Sequence, residues 1–114
     1  MASRGGKNKK VDRSCRNKAI NEFKKILSDH EIEFTKLILF GSMATEWFDD
    51  RSDLDICVVV PNDVKDVKKL QTKLNGLAGR NDLEIDVIAT TVKELKQNMI
   101  SPILHEIRTN GIEI

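Results

Sequence analysis

The chain has 114 residues, 39% of them hydrophobic and 32% charged, which suits one globular domain with its own core. A formal net charge of +1 excludes a global field that would draw the whole molecule to nucleic acid or a membrane. No apolar run has the length of a membrane span, and the basic N-terminus lacks the apolar stretch of a secretory signal, so a cytoplasmic protein is expected.

Residues 1–12 are polar and basic, and from Arg4 to Lys18 seven Lys or Arg stand against one acid, Asp12. Such a segment buries too little apolar surface to offset the entropy of ordering it. A flexible basic tail over 1–12 is expected, followed by one domain over 13–114. The tail reads as a solvated terminus or as an electrostatic arm for nucleic acid or a protein partner. It carries no aromatic for base stacking.

Residues 14–30 read as a helix, capped by Ser14, with Ala19, Ile20, Phe23, Ile26 and Leu27 on one face. Ser28-Asp29-His30 breaks the pattern. A first strand follows over 34–40, and its continuous apolar run 37–40 suits a strand covered on both faces. Gly41-Ser42 turns the chain, Met43–Trp47 suggest a short helix opening at Ser42, and Asp49–Ser52 form a polar loop. The second strand runs over 53–60 and closes at Pro61. A helix over 63–78 is expected, capped by Asp63, with Val64, Val67, Leu70, Leu74 and Leu77 at helical spacing.

The third strand, 83–89, alternates. Leu83, Ile85, Val87 and Ala89 face one way, and Glu84, Asp86 and Ile88 the other. Thr91-Val92-Lys93-Glu94 is a capping box that starts a short helix. Ser101-Pro102 starts another, and Asn110-Gly111 ends it. Ile112–Ile114 suit a short edge strand. This order of elements gives an α/β or α+β layer with one sheet.

Two features point to chemistry. Asp53 and Asp55 lie two apart in a strand, so they share a face and repel unless a cation or proton sits between them. If the third strand lies beside the second, Asp86 joins them. Three carboxylates form a hard oxygen cage suited to Mg2+ or Mn2+. The second feature is the Gly41-Ser42 turn, which lets a phosphate approach the main chain and offers it a hydroxyl and free N–H groups. Together they indicate phosphoryl or nucleotidyl transfer from a nucleoside triphosphate. Read singly, a Gly-Ser turn, an Asp-x-Asp strand and a lone strand acid are ordinary surface features; their joint spacing is what signals a site. The 49–53 loop lacks the EF-hand pattern, so calcium is not expected. Cys15 and Cys57 have no His at metal-ligand spacing and fit a reducing compartment. His30 and His105 are isolated and read as surface or helix-end residues.

At these residues the chain resembles the minimal nucleotidyltransferases of the DNA polymerase beta superfamily. Their signature is Gly-Ser-Arg-Ala-Arg-Gly, a short loop, then Ser-Asp-x-Asp. Here it reads Gly41-Ser42-Met43-Ala44-Thr45-Glu46, then 47–51, then Ser52-Asp53-Leu54-Asp55. The resemblance implies the nucleotidyltransferase fold, a small mixed sheet packed against helices. It implies that Asp53, Asp55 and Asp86 bind metal and are catalytic. Gly41 and Ser42 would hold the β- and γ-phosphates, with Arg51 and Ser52 further nucleotide-binding candidates. The substrate would be ATP or another NTP, and the acceptor a hydroxyl of a protein or small molecule. It further implies a HEPN-like protein partner in a toxin–antitoxin pair, or self-association to complete the cleft. Met43 and Thr45 replace both signature arginines, and Glu46 replaces the second glycine. Arginine forks clamp phosphate oxygens, so this departure keeps a catalytically weak nucleotide-binding or antitoxin module open beside the active enzyme. A nucleic-acid-binding protein using the basic tail is the third reading.

Overall fold

A computed structural model describes residues 5–41, 54–81 and 83–114, with 5–16 given as backbone only. Four strands, β1 (Lys36–Phe40), β2 (Leu54–Val60), β3 (Ile85–Thr91) and β4 (Ile112–Glu113), form one sheet in the order β3-β2-β1-β4. β1 is antiparallel to β2 and to β4, whereas β2 and β3 are parallel, so the sheet is mixed. Four helices complete the domain: α1 (Gly5–Asp29), α2 (Val67–Arg80), α3 (Val92–Gln97) and α4 (Pro102–Asn110).

The two inner strands are apolar on both faces because each face has its own core. On one face Leu37, Leu39, Ile56 and Val58 pack with Phe23 and Leu27 of α1 and Leu74 and Leu77 of α2. On the other, Ile38, Phe40, Cys57 and Val59 pack with Leu95 of α3 and Leu104 and Ile107 of α4. A strand covered twice reads as an unbroken apolar run, as 37–40 and 56–60 do. β3 alternates as expected: Ile85 and Val87 join the first core, while Ile88 packs against the second.

The helix starts after β3 follow their caps. The Thr91 side chain accepts from Glu94 N at 3.1 Å, and Ser101 Oγ accepts from Leu104 N at 3.3 Å. β4 is the short edge strand expected after Gly111. Two starts differ from expectation. α2 opens at Val67, capped by Asp66, whose carboxylate accepts from Lys69 N at 3.0 Å. Asp63 instead lies in a turn closed by Val64 N donating to Pro61 O at 3.2 Å. Val64 still packs on the core, which is why it mimics a helical position. α1 opens at Gly5, so Ser14 falls inside it, and the expected tail over 1–12 is helical backbone from Gly5 onward. Lysine is a good helix former, and nothing in this stretch breaks a helix after Gly6. The strand bounds also shift: β1 begins at Lys36, and β3 runs 85–91 rather than 83–89.

The C-terminus of α1 closes without a glycine. Ile32 N donates to Leu27 O at 2.9 Å and Glu31 N to Ser28 O at 3.1 Å, with Glu31 at φ +53°. This left-handed residue ends the helix in the manner that glycine usually serves.

Candidate active site

β2 lies at the centre of the sheet, and Asp55 is the second residue in it. Its register partner on one side is Phe40, the last residue of β1, and on the other is Asp86 of β3. Adjacent strands lie about 4.8 Å apart, so the two acids are immediate neighbours. They also share a face. Asp55 alternates with Leu54 and Ile56, which belong to the α1–α2 core, and Asp86 alternates with Ile85 and Val87 of that same core. Both carboxylates therefore stand on the α3–α4 side, Asp55 half-buried and Asp86 exposed.

Gly41 directly follows Phe40 and has φ +78°. A Cβ built on it would collide with the Asp55 carboxylate oxygen and come within 3.1 Å of its Cγ. Glycine is thus needed here twice, for the left-handed backbone and for the space that Asp55 fills. The side chain beside this turn is therefore that of Asp55.

The strand that carries Asp86 is an edge strand, and α2 holds its outer side. Asn75 Oδ1 accepts from Val87 N at 2.9 Å, and its Nδ2 donates to Val87 O at 3.0 Å. Gln71 Oε1 accepts from Ala89 N at 2.9 Å. Two side-chain amides one helical turn apart thus act as a substitute strand and fix the backbone beside Asp86. Sequence reasoning missed both residues. Their only signal is a pair of amides at i, i+4 in the helix between β2 and β3.

Below Asp55 on the same face is Cys57, fully buried and not in a disulfide. Burial pushes its thiol up to about 12 from 9.0, with the Lys36 charge opposing. A thiol so held stays protonated and serves as apolar floor rather than as a nucleophile. His30 and His105 are both exposed, and neither lies on the strands that carry the acids. Ser42, Arg51, Ser52 and Asp53, and with them the short helix expected at Met43–Trp47 and the loop expected at 49–52, lie outside the described residues. Among the described residues no cluster of three or more His, Cys, Asp or Glu forms. Two neighbouring carboxylates on one face, with Asp53 two residues before Asp55 in sequence, are the oxygen donor set that a hard divalent cation takes. The chemistry of the residues present fits such an ion.

Among the described residues no helix is long and apolar enough to cross a membrane. The family model described as nucleotidyltransferase domain matches residues 20–109. A Methanocaldococcus jannaschii protein, named as a candidate protein adenylyltransferase, is 30% identical over 99 residues, spanning 83% of this chain and 94% of its own length. A crystal structure of a candidate nucleotidyltransferase from Sulfolobus solfataricus matches with a TM-score of 0.65 at 17% identity, covering 99% of this chain and 90% of that one. A toxin–antitoxin crystal structure with AMP-PNP matches with a TM-score of 0.57 at 24% identity, covering 82% of this chain and 69% of that one. At these identities the two structures share the fold with this chain.

Proposed function

We propose that this chain, which belongs to the nucleotidyltransferase domain family as a minimal nucleotidyltransferase, transfers AMP from ATP to a hydroxyl of a protein acceptor. The observation that carries this reading is the in-register pair Asp55–Asp86 on one sheet face, beside the Gly41 turn. Asp53, Asp55 and Asp86 would hold Mg2+ or Mn2+. Such an ion neutralises charge on the triphosphate and on the departing pyrophosphate. Asp86, exposed at the sheet edge, would meet the acceptor and help draw the proton from its hydroxyl. The acceptor oxygen bonds to the α-phosphorus, the bond from that phosphorus to the bridging oxygen breaks, and pyrophosphate leaves. Gly41 and Ser42, with Arg51 and Ser52, would line the path of the β- and γ-phosphates.

A protein acceptor is favoured over a small molecule by the name of the Methanocaldococcus relative. A partner in a cytoplasmic toxin–antitoxin pair is the form this takes, supported by the neighbour solved as a toxin–antitoxin with AMP-PNP; that the partner is HEPN-like is what the resemblance to minimal nucleotidyltransferases implies. Label from α-labelled ATP should appear on the co-expressed partner with the wild type. With Asp55→Asn or Asp86→Asn it should fall at least a hundredfold while cooperative melting shows that the fold is retained. Wild-type rates in either variant would overturn the assignment.

One departure favours a second reading. Met43 and Thr45 leave the turn without its two arginines, which weakens triphosphate clamping. Calorimetry that finds Mg2+–ATP binding with no pyrophosphate release in the presence of partner would make the chain a nucleotide-binding module on the same fold.

A further inference from the structure

The family model begins its match at residue 20, yet α1 starts earlier, at Gly5. The core-facing stripe of α1 is Leu27, Phe23 and Ile20, three and four residues apart. The positions that continue this spacing are 16, 13 and 9, and they hold Arg16, Arg13 and Lys9. The apolar spacing that serves the core at Ile20 therefore does not continue in the sequence before it. Over 5–18 the helix carries six Lys or Arg, one acid, Asp12, and only Val11 and Cys15 as apolar residues. At about 1.5 Å per residue this arm is about 21 Å long. Like charges recur three and four apart, at Lys7–Lys10, Lys9–Arg13 and Arg13–Arg16, which is an arrangement that a polyanion relieves.

We propose that the arm over 5–18 binds the phosphate backbone of a double-stranded nucleic acid. Charge complementarity selects a polyanion, and composition selects among polyanions. No aromatic lies in 1–18 to stack on the bases of a single strand. No apolar stripe accompanies the cations, as insertion at a lipid surface requires. Asn8, Ser14 and Asn17 add neutral donors of the kind that contact phosphate oxygens. A helical backbone rises about 1.5 Å per residue, close to the one negative charge per about 1.7 Å of axis that a duplex carries.

The test uses the whole chain and fluorescein-labelled 20-base-pair duplexes, one of RNA and one of DNA, followed by anisotropy between about 50 and 200 mM salt. Binding should weaken with a slope of log K on log salt of about −0.9 per phosphate contacted, hence about −3 to −5. The variant Lys7→Gln/Lys9→Gln/Lys10→Gln/Arg13→Gln keeps helix propensity and should lose at least tenfold in affinity with a flatter slope. Its nucleotide transfer should match the wild type, which separates this proposal from the catalytic one. A preference for the RNA or the DNA duplex identifies the form. Absent duplex binding at 50 mM salt, or equal binding by the variant, overturns it. So does equal or tighter binding to single strands, poly-glutamate or vesicles of anionic lipid.

Discussion

The Asp55 carboxylate fills the space that a side chain at Gly41 would need. Gly41→Ala must therefore move the acid as well as strain a backbone at φ +78°. The left-handed conformation alone costs about 1–2 kcal/mol for a residue with a Cβ. A loss of about 5–15 °C in melting temperature is expected for a domain of this size. Nucleotide transfer should fall further than stability does, because the displaced group is the central carboxylate. Melting curves and label transfer measured on one preparation separate the two effects.

Asn75→Ala should open the outer side of β3. Val87 N and Val87 O would both lose their partner, at a cost of about 1–3 kcal/mol for groups this far from bulk water. The bared strand edge is also a template for pairing with a second chain. Urea midpoints should fall, and sedimentation should show concentration-dependent association absent in the wild type. Gln71→Ala removes one bond rather than two and should do less of both.

Glu31→Gly should stabilise the protein. Glu31 sits at φ +53° where α1 ends, and its side chain is exposed. Relief of left-handed strain outweighs the added entropy of a glycine in the unfolded chain, for a net gain of about 0.5–1 kcal/mol. A rise of a few degrees in melting temperature, with activity unchanged, is the expected result.

Alkaline stability should carry a contribution from Cys57. The unfolded thiol loses its proton near 9.0 and the folded one near 12. Between those values the folded chain holds a proton that the unfolded chain has released. This contribution is full below pH 9 and is lost as pH rises toward 12, at about 1.4 kcal/mol per pH unit. Urea midpoints of the wild type should decline with pH above about 9 more steeply than those of Cys57→Ala.

Much of this fold was legible because its signals are local. The Thr91 capping box and the Ser101-Pro102 start fall where a cap side chain meets one nearby N–H, and the Asn110-Gly111 stop where the Gly111 N–H donates to Ile107 O. Alternation in β3 placed Asp86 and Ile88 opposite Ile85 and Val87, which put the acid on the correct face. The start of α2 was obscured because Asp63 and Asp66 are both competent caps, and Val64 packs on the core from a turn. The start of α1 was obscured because a basic, apolar-poor stretch reads as coil even where it is helical. Within the candidate site, the pairing of Asp55 with Asp86 needed only strand adjacency beyond what the residues state. The hold of Asn75 and Gln71 on β3 needed knowledge of which strand is at the edge. The pressure of Asp55 on Gly41 needed coordinates.

The head of β2 has one further implication. Asp55 is mounted on a rod clamped between two apolar layers, so its position is set when the chain folds, before any nucleotide arrives. Little reorganisation is then left for ligand entry. Replacing either acid by Asn should consequently remove transfer while leaving the fold in place, the mark of a group that the scaffold holds ready rather than one that the ligand must assemble.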